Sequence, residues 1–407
     1  MRQKIKLKQY IFGIGSVLIF VLVVIALNRK GYVPERKQEQ EEPITEPVLH
    51  EVSQVTIDAS DIGNSIIFTD NQNLFALSPD AKSKTVLIKG TEMYYPGMLA
   101  DGRIYFWQKK TIGRSFVFDK LYIQNGQHFE KYYVPLEKND GSFGVETPPV
   151  VAASGEYILF TSDRDARDNY RRRALYRYSL IDFNLKKLTS NLTMTVYVPF
   201  ISPDANFIGF TYQNIEPNKG SEPTALAVIV NGVESVNLFP KVVVNDVAIA
   251  FSQDNQHIVF TGQQGMSVFD IGTGKISDSL DMGIFRGISA HDQIAIEEEE
   301  GIQIDFIKDC FAGSDTHNEI KSHQLYVYAL KNGKLEKNQS FSSPAYLTSF
   351  PIEFNQYLFS ADQKFALIKY QNKTHCQEST GLWQLSSQKI LPLDQVGNNF
   401  AFWSGGK

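Results

Sequence analysis

Short hydrophobic runs separated by turn residues recur along the chain, and the clearest pair lies in residues 196–212. The runs VYVPFI and FIGFTY are rich in β-branched and aromatic residues, which are typical of half-buried strands. Between them, Pro203 fixes a backbone dihedral suited to a turn, and Asp204 can accept hydrogen bonds from backbone amides just after it. The pattern therefore predicts a β-hairpin.

This hairpin pattern repeats at a spacing of roughly fifty residues. One copy lies at 149–163 and another at 247–262, and looser copies lie at 97–108 and 357–370. Self-similarity at such a period is the sequence signature of a solenoid or a propeller. We therefore expect a repeat architecture built almost entirely from strands.

The two ends of the repeated region complement each other. The remaining runs group into units of four strands, the last of which is predicted to begin at 356–360. Residues 398–407 look like a first strand with nothing after it, whereas 65–70, 73–78 and 85–88 look like second, third and fourth strands without a first. Pairing the two ends would close a ring and remove exposed sheet edges. The sequence therefore predicts an all-β chain folded as a single β-propeller, with seven four-stranded blades favoured and six or eight also compatible.

The N-terminal segment has the pattern of a membrane anchor. Residues 1–8 carry four basic residues and no acidic one, and they are followed by 18 uncharged residues that as a helix would span about 27 Å. We predict a cytoplasmic tail at 1–8, a transmembrane signal anchor at 9–27, a flexible linker at 28–57 and the propeller at 58–407, outside the cytoplasm in a periplasm or at a cell surface. A cleaved signal peptide is the alternative.

Charge and cysteine content narrow the functional classes. A net charge of −5 gives no general basic surface for nucleic acid, so no nucleic-acid partner is predicted. The chain has two cysteines, and neither a CxxC pair nor a disulfide framework is present. Cys310 and Cys376 fall in equivalent loops of neighbouring units, between the second and third strands. We predict a disulfide between them in an oxidising compartment, with two separate thiols as the alternative.

Several stretches carry the resemblance to a known family. Residues 202–204 (SPD), 160–164 (FTSDR), 175–178 (LYRY) and 188–189 (LT) resemble the repeats of TolB-type propellers, which also occur in the propellers of prolyl oligopeptidases. The resemblance covers about 58–407 and implies a propeller fold. Other residues replace the glycine that follows Pro-Asp in the family, and the linker is too short for the α/β domain that precedes the propeller in TolB. The resemblance therefore implies none of TolB's partners.

No catalytic constellation stands out in the sequence. Residues 28–407 contain no G-x-S-x-G nucleophile elbow, so no serine hydrolase domain is predicted. Asp163, Asp165 and Asp168 could suggest a calcium loop, but the alternate spacing of 163 and 165 would next use position 167, which is Arg167, and no bidentate glutamate follows. Turn carboxylates are therefore favoured over a calcium loop. We predict no catalytic residue, no metal and no cofactor.

The loop between the second and third strands of the third unit is the best candidate for binding. Loops carried by a rigid scaffold are common binding sites, and guanidinium groups present a fixed fork of donors to carboxylates and phosphates. A solvated basic loop is the alternative. The sequence thus predicts a non-catalytic module that binds a protein or cell-envelope partner through the face carrying these loops; an enzyme of lyase or glycosidase type, with its site in the central funnel, is the competing hypothesis. The candidate binding residues are Arg164, Arg167, Arg171, Arg172 and Arg173.

Overall fold

A computed structural model describes most of the repeated region. The predicted tail, anchor and linker (1–57) lie outside the described residues. Within the described part of the chain, no helix is long and apolar enough to cross a membrane. The described residues are 65–70, 72–78, 83–89, 93–112, 115–126, 128–135, 149–164, 173–189, 194–214, 223–231, 235–263, 265–281, 284–288, 292–303, 320–342, 346–349, 364–371, 378–387, 389–393 and 399–403.

These residues are all-β, and they form six hydrogen-bonded antiparallel sheets, one of which has seven strands because two four-stranded units share a strand. We number the units along the chain. Unit 1 contains β1 (Ile66–Thr69), β2 (Leu74–Leu77), β3 (Lys84–Ile88) and β27 (Asn399–Trp403); unit 2, β4 (Tyr94–Met98), β5 (Ile104–Ile112), β6 (Ser115–Asn125) and β7 (His128–Tyr133); unit 3, β8 (Val150–Val151), β9 (Tyr157–Ser162), β10 (Ala174–Ser179) and β11 (Leu185–Lys187).

The remaining units repeat the same order. Unit 4 contains β12 (Met194–Ile201), β13 (Phe207–Asn214), β14 (Ala225–Val230) and the first part of β15 (Val236–Phe251); unit 5, the last part of β15 with β16 (His257–Gly262), β17 (Gly265–Asp270) and β18 (Lys275–Ser279); unit 6, β19 (Ile284–Ile288), β20 (Gln293–Gln303), β21 (Ile320–Lys331) and β22 (Lys334–Ser342); unit 7, β23 (Tyr346–Ser349), β24 (Phe365–Gln371), β25 (Glu378–Gln384) and β26 (Lys389–Pro392).

Head and tail share one sheet, as the sequence predicted. Strand β27 lies antiparallel to β1, with Ile66 opposite Trp403 and Thr69 opposite Asn399. The sheet order is therefore β27-β1-β2-β3, in which the C-terminal strand supplies the first strand of the N-terminal unit. This pairing protects an edge of β1 that would otherwise be open to other chains.

Two details of the strand prediction are corrected. The fourth strand of unit 4 and the first strand of unit 5 are one continuous 16-residue strand, β15, which pairs with β14 through its first half and with β16 through its second. In unit 7 the strand paired with β24 is Tyr346–Ser349, about ten residues before the predicted 356–360, which lies outside the described residues. The first strand of unit 7 therefore lies closer in the sequence to unit 6 than predicted.

Hydrophobic side chains fill the seams between neighbouring units. Each strand alternates its side chains between two faces, so each sheet contributes to the seam on either side. Strand β21 of unit 6 also lies beside β23 of unit 7. The clusters contain Leu382 with Ile66 for units 7 and 1, Phe118 with Phe160 for units 2 and 3, Tyr157 with Phe210 for units 3 and 4, Phe200 with Phe251 for units 4 and 5, and Val268 with Tyr326 for units 5 and 6.

Two glycines sit directly opposite aromatic residues on the paired strand. Gly209 faces Phe200 and Gly97 faces Tyr105 in the antiparallel register. A Cβ atom at position 209 would lie only 2.2 Å from the ring of Phe200, so the ring occupies the space that a side chain would need. Cross-strand pairs of this kind let an aromatic ring cover a glycine and restore the packing that the glycine lacks.

Candidate functional site

The two ends of the strands form two different faces of the domain. At the end where the second strand passes to the third, the carbonyl of Arg173 accepts a hydrogen bond from the amide of Val196 in the next unit (3.0 Å), and the carbonyl of Thr224 accepts one from Val244 (2.9 Å). The residues that follow the second-to-third loop of one unit therefore lie beside the start of the next unit. We call this end the loop face, and the opposite end, which carries the Pro-Asp turns, the turn face.

Hydrogen bonds between units connect the turn face. The amide of Asp204 donates to Asn255 Oδ1 (3.2 Å), which joins unit 4 to unit 5, and the amide of Gln253 donates to Asp292 Oδ1 (2.7 Å), which joins unit 5 to unit 6. Arg177 in unit 3 donates through Nη1 to Asn231 Oδ1 in unit 4 (2.7 Å). These contacts fix the relative positions of the units at this end.

The carboxylates of the Ser-x-Asp turns at 202–204 and 252–254 are structural. Partial burial alone would raise the pKa of Asp204, but hydrogen bonds from the Asn206 amide (3.0 Å) and the Ser202 hydroxyl (2.7 Å) outweigh it and hold the pKa below its usual range. Burial likewise opposes the ionisation of Asp254, and hydrogen bonds from Ser252 and Gln256 lower its pKa. Both side chains close their own turns, which explains why aspartate recurs there.

Ser252, Asp254 and His257 lie close together but do not form a catalytic relay. His257 is buried, with Nδ1 3.3 Å from Asp254 Oδ2 and Nε2 3.7 Å from Asp270 Oδ2. The hydroxyl of Ser252 donates to Asp254 rather than to the imidazole. A serine nucleophile needs the imidazole as its base, so this arrangement stabilises the turn instead.

Of the five predicted arginines, Arg164 is engaged inside the domain. Its Nη2 donates to the carbonyl of Pro135 in unit 2 (2.7 Å), and its Nε donates to Ser162 Oγ (3.1 Å). The guanidinium also lies over the rings of Phe160 and Tyr176, 5.3 and 4.9 Å from their centroids. Arg164 thus ties unit 2 to unit 3.

Arg173 lies at the other end of the same loop and reaches a different group of residues. It is partly buried, and its guanidinium acts on Tyr197 of unit 4: burial raises the pKa of the Tyr197 phenol, and the positive charge of Arg173 lowers it in part. Arg167, Arg171 and Arg172 lie outside the described residues. The structure therefore separates Arg164 from Arg173 and leaves the other three untested.

A bulge in the first strand of unit 4 brings Tyr197 to the loop face. The register of β12 and β13 shifts between Val196 and Pro199, so Tyr197 and Val198 have no direct partners in β13. The amide of Val198 donates instead to the hydroxyl of buried Thr211 (3.2 Å). Bulges re-aim side chains and are common beside functional sites. The Tyr197 side chain remains 37% exposed, although Tyr197 lies in β12, the first strand of unit 4.

Thr195 and Gln213 are the other two members of the group that contains Arg173 and Tyr197. They face each other in the register, and Gln213 Oε1 accepts a hydrogen bond from the Tyr197 hydroxyl (2.8 Å). Thr195 is only 4% exposed, and its hydroxyl has no hydrogen-bond partner. We call Arg173, Thr195, Tyr197 and Gln213 the rim cluster. Only Arg173 among these four could be predicted from the sequence, because single polar residues inside strands give no signal in the hydrophobic pattern.

Two other predictions could not be placed. Cys310 and Cys376 lie outside the described residues, and so do Asp165 and Asp168. Within the described ranges, no group of three or more His, Cys, Asp and Glu side chains is arranged to hold a metal ion.

Comparisons with known proteins agree with the architecture. No protein-family profile matches the sequence, and no curated protein matches it either. Similar solved structures include TolB from Acinetobacter baumannii, with 12% identity and a TM-score of 0.39 over 84% of this chain and 66% of TolB. A prolyl endopeptidase is similar with 11% identity and a TM-score of 0.47 over 81% of this chain and 50% of the endopeptidase. An oligogalacturonate lyase from Vibrio parahaemolyticus is also similar (9%, 0.49, 81% of this chain and 86% of the lyase).

These matches concern the fold alone. The chain spans slightly less than two thirds of the TolB chain and half of the endopeptidase. The four-stranded antiparallel units and the pairing of β27 with β1 in this chain agree with the propeller fold that the TolB-type resemblance implied. A fold by itself does not select one activity.

Proposed function

We propose that the chain is a membrane-anchored, extracytoplasmic β-propeller that binds a protein or cell-envelope partner through its loop face and is not a catalyst. Residues 9–27 would anchor it in the membrane and 28–57 would hold the domain away from the surface. The uncharged length of the first segment and the polar, Pro-punctuated composition of the second support this arrangement.

The sheet order supports a ring of seven blades. Each four-stranded unit would be one blade, and the shared strand β15 would serve two of them. The closing strand β27 would complete the first blade, so that the ring has no missing strand. A ring of this kind is a rigid support on which loops of variable length can be carried.

The single observation that carries the proposal is the partly exposed Tyr197 beside Arg173 at the loop face. Hydrogen bonds link neighbouring units at both ends of the strands, as between Asp204 and Asn255 on the turn face and between Val196 and Arg173 on the loop face. These bonds hold the support together, and the arginine-rich segment of the sequence ends at Arg173 beside the partly exposed tyrosine. A rigid support with one polar, loop-bearing face is suited to recognition of a partner.

Crosslinking in intact cells would test the proposal. The full chain is expressed beside a variant with Arg171→Gln and Arg172→Gln in the arginine-rich segment that precedes Arg173, and beside a matched control with Lys275→Gln and Lys334→Gln on the turn face. We expect a crosslinked partner that is lost in the arginine variant and kept in the control. Protease added to intact cells should cleave the domain if it lies outside.

Three outcomes would contradict the proposal. Equal loss of the partner in both variants would mean that charge in general, not the loop face, mediates binding. Turnover of polyuronate or glycoside substrates by the purified chain would favour the enzyme hypothesis instead. Protection of the domain from external protease would contradict its location.

A further inference from the structure

The last hairpin of unit 6 turns through an Asn-Gly pair on the turn face. Lys331 of β21 pairs with Lys334 of β22, so Asn332 and Gly333 alone form the loop between the two strands. Their φ angles are 50° and 73°, the left-handed conformation that a type I′ turn requires at both central positions. Asparagine and glycine adopt this conformation more readily than other residues. The turn geometry therefore explains why this pair stands here.

The same pair can react with itself. The backbone nitrogen of Gly333 can attack the side-chain carbonyl carbon of Asn332, so that a new C–N bond forms, the bond to the side-chain nitrogen breaks and ammonia leaves with the proton of the attacking amide. The product is a five-membered succinimide ring. Water opens this ring at either carbonyl, which gives aspartate or isoaspartate and one new negative charge. Glycine favours the reaction because it has no side chain to obstruct the attacking nitrogen.

The contacts of the asparagine side chains distinguish the three Asn-Gly pairs of the sequence, at 125, 231 and 332. The Asn231 amide is held at both ends, because Arg177 Nη1 donates to its Oδ1 (2.7 Å) and its Nδ2 donates to a backbone carbonyl of the same unit (2.8 Å). The Asn125 Nδ2 donates to Glu130 Oε1. Asn332 is exposed, and within the described ranges no hydrogen bond holds its side chain. Its carbonyl carbon can therefore approach the next backbone nitrogen without breaking a contact.

The reactive turn is fitted closely against unit 5. The carbonyl of Gly333 accepts a hydrogen bond from Ser277 Oγ (2.9 Å), and the amide of Leu335 donates to Asp278 Oδ2 (2.8 Å). A Cβ atom at position 333 would lie 2.6 Å from His257 Nε2, so the imidazole fills the space beside the glycine. Isoaspartate routes the main chain through its own Cβ atom and lengthens the turn by one carbon. The longer turn could not keep all of these contacts.

We propose that Asn332 is a site of spontaneous deamidation, and that isoaspartate at this position loosens the contact between units 5 and 6. The inference is independent of the proposed function, because the modified turn lies on the turn face and not on the face that would bind a partner. It assigns the domain an age-dependent modification that needs only water. The product is a substrate for the class of methyltransferase that esterifies isoaspartyl carboxylates.

Ageing of the purified full chain in mildly alkaline buffer tests the site. Peptide mapping by mass spectrometry follows each Asn-Gly peptide, and a purified isoaspartate methyltransferase labels the isoaspartate. We expect Asn332 to react about tenfold or more faster than Asn231, because reaction at Asn231 must first break a hydrogen bond to a charged group. Arg177→Gln removes that bond and should speed the reaction at Asn231 alone. Lys89→Gln removes the same charge from an exposed position of unit 1 and should change neither rate.

Hydrogen exchange tests the loosening of the contact. The Leu335 amide, which donates to Asp278, should exchange about tenfold faster in aged wild-type chain than in fresh chain. Asn332→Gly is the matched variant, because Gly-Gly suits the same turn and lacks the reacting carbonyl. Its exchange at Leu335 should not change with age. Fresh wild-type chain remains the reference should this variant fold poorly.

The two parts of the inference fail separately. Equal rates at Asn231 and Asn332, or an Asn332 that stays intact while either of the other pairs reacts, would overturn the deamidation site. Complete conversion at Asn332 with unchanged exchange at Leu335 would overturn the loosening of the contact between units 5 and 6. Faster exchange at Leu335 in aged Asn332→Gly chain would likewise show that ageing acts there through another residue.

Discussion

Replacing Gly209 with alanine should destabilise the seam between units 4 and 5. The added Cβ atom would lie 2.2, 2.3 and 2.7 Å from three ring carbons of Phe200, so the ring would have to move about 1.2 Å to reach the 3.4 Å of an ordinary contact. Phe200 is buried, and its ring packs against that of Phe251 with the centroids 4.9 Å apart. The ring therefore has no open space into which it can move.

The expected cost follows from overpacking of a buried site. Insertion of one carbon into a well-packed core costs about 1–3 kcal/mol. For a domain of this size, about 2 °C of melting temperature is lost per kcal/mol, so Gly209→Ala should melt about 2–6 °C below the wild type in differential scanning calorimetry. Phe200→Ala alone should cost about 3–5 kcal/mol because it leaves a cavity.

A double-mutant cycle makes the reasoning refutable. In the variant that carries both substitutions, the new methyl group enters space that the ring has left, so the total cost should be lower than the sum of the single costs by at least about 1 kcal/mol. Gly272→Ala is the matched control, because the nearest atom to its Cβ would be Asp270 Oδ1 at an ordinary 3.5 Å. Strictly additive costs, or a Gly209→Ala variant as stable as the wild type, would refute the predicted contact.

Four further predictions concern the turns and the closure. Ala205 has φ of 59°, so Ala205→Gly should stabilise the fold by up to about 1 kcal/mol in urea unfolding; no gain would contradict the strained turn. Folding lowers the pKa values of Asp204 and Asp254, so the two carboxylates contribute fully to the stability of the fold above about pH 4, and this contribution is lost as the pH falls through their folded pKa values. A chain with both Asp204→Asn and Asp254→Asn should therefore show a shallower fall in melting temperature between about pH 5 and 3 than the wild type. Arg177→Gln should lower the free energy of unfolding by about 1–2 kcal/mol, because it removes the hydrogen bond to Asn231 of unit 4 and the contact with the ring of Tyr157. Arg177→Lys should not restore this stability. Deletion of 399–407 should cause concentration-dependent association in size-exclusion chromatography; a stable monomer would show that the closing strand protects nothing.

The parts of the fold that depend on local pattern could be predicted from the sequence. Alternating hydrophobic runs identify the hairpin of unit 4, and the incomplete units at the two ends predict the pairing of Ile66 with Trp403. The first strand of unit 7 was misplaced because Tyr346–Ser349 is only four residues long and gives too little alternation to recognise. Short strands of this kind depend on their neighbours in space.

The candidate site was predicted only in part, since its geometry depends on contacts between units. Arg164 and Arg173 look equivalent in the sequence, but packing between units brings the carbonyl of Pro135 and the rings of Phe160 and Tyr176 to Arg164. The unpaired hydroxyl of Thr195 depends on how deeply its strand is packed, which no local pattern records. Tertiary packing thus decides which contacts each of several similar polar residues makes.

The closing strand also has a consequence for how the domain is made. As the chain leaves the ribosome, β1 appears first among the described strands and β27 last, so the inner edge of β1 stays without its partner while all of the other units are synthesised. Contacts between such distant parts of a chain form slowly. Chaperones that shield hydrophobic strands should therefore be needed most just before residues 399–403 emerge, and a pause in translation there would prolong the period in which a nascent chain can misassemble.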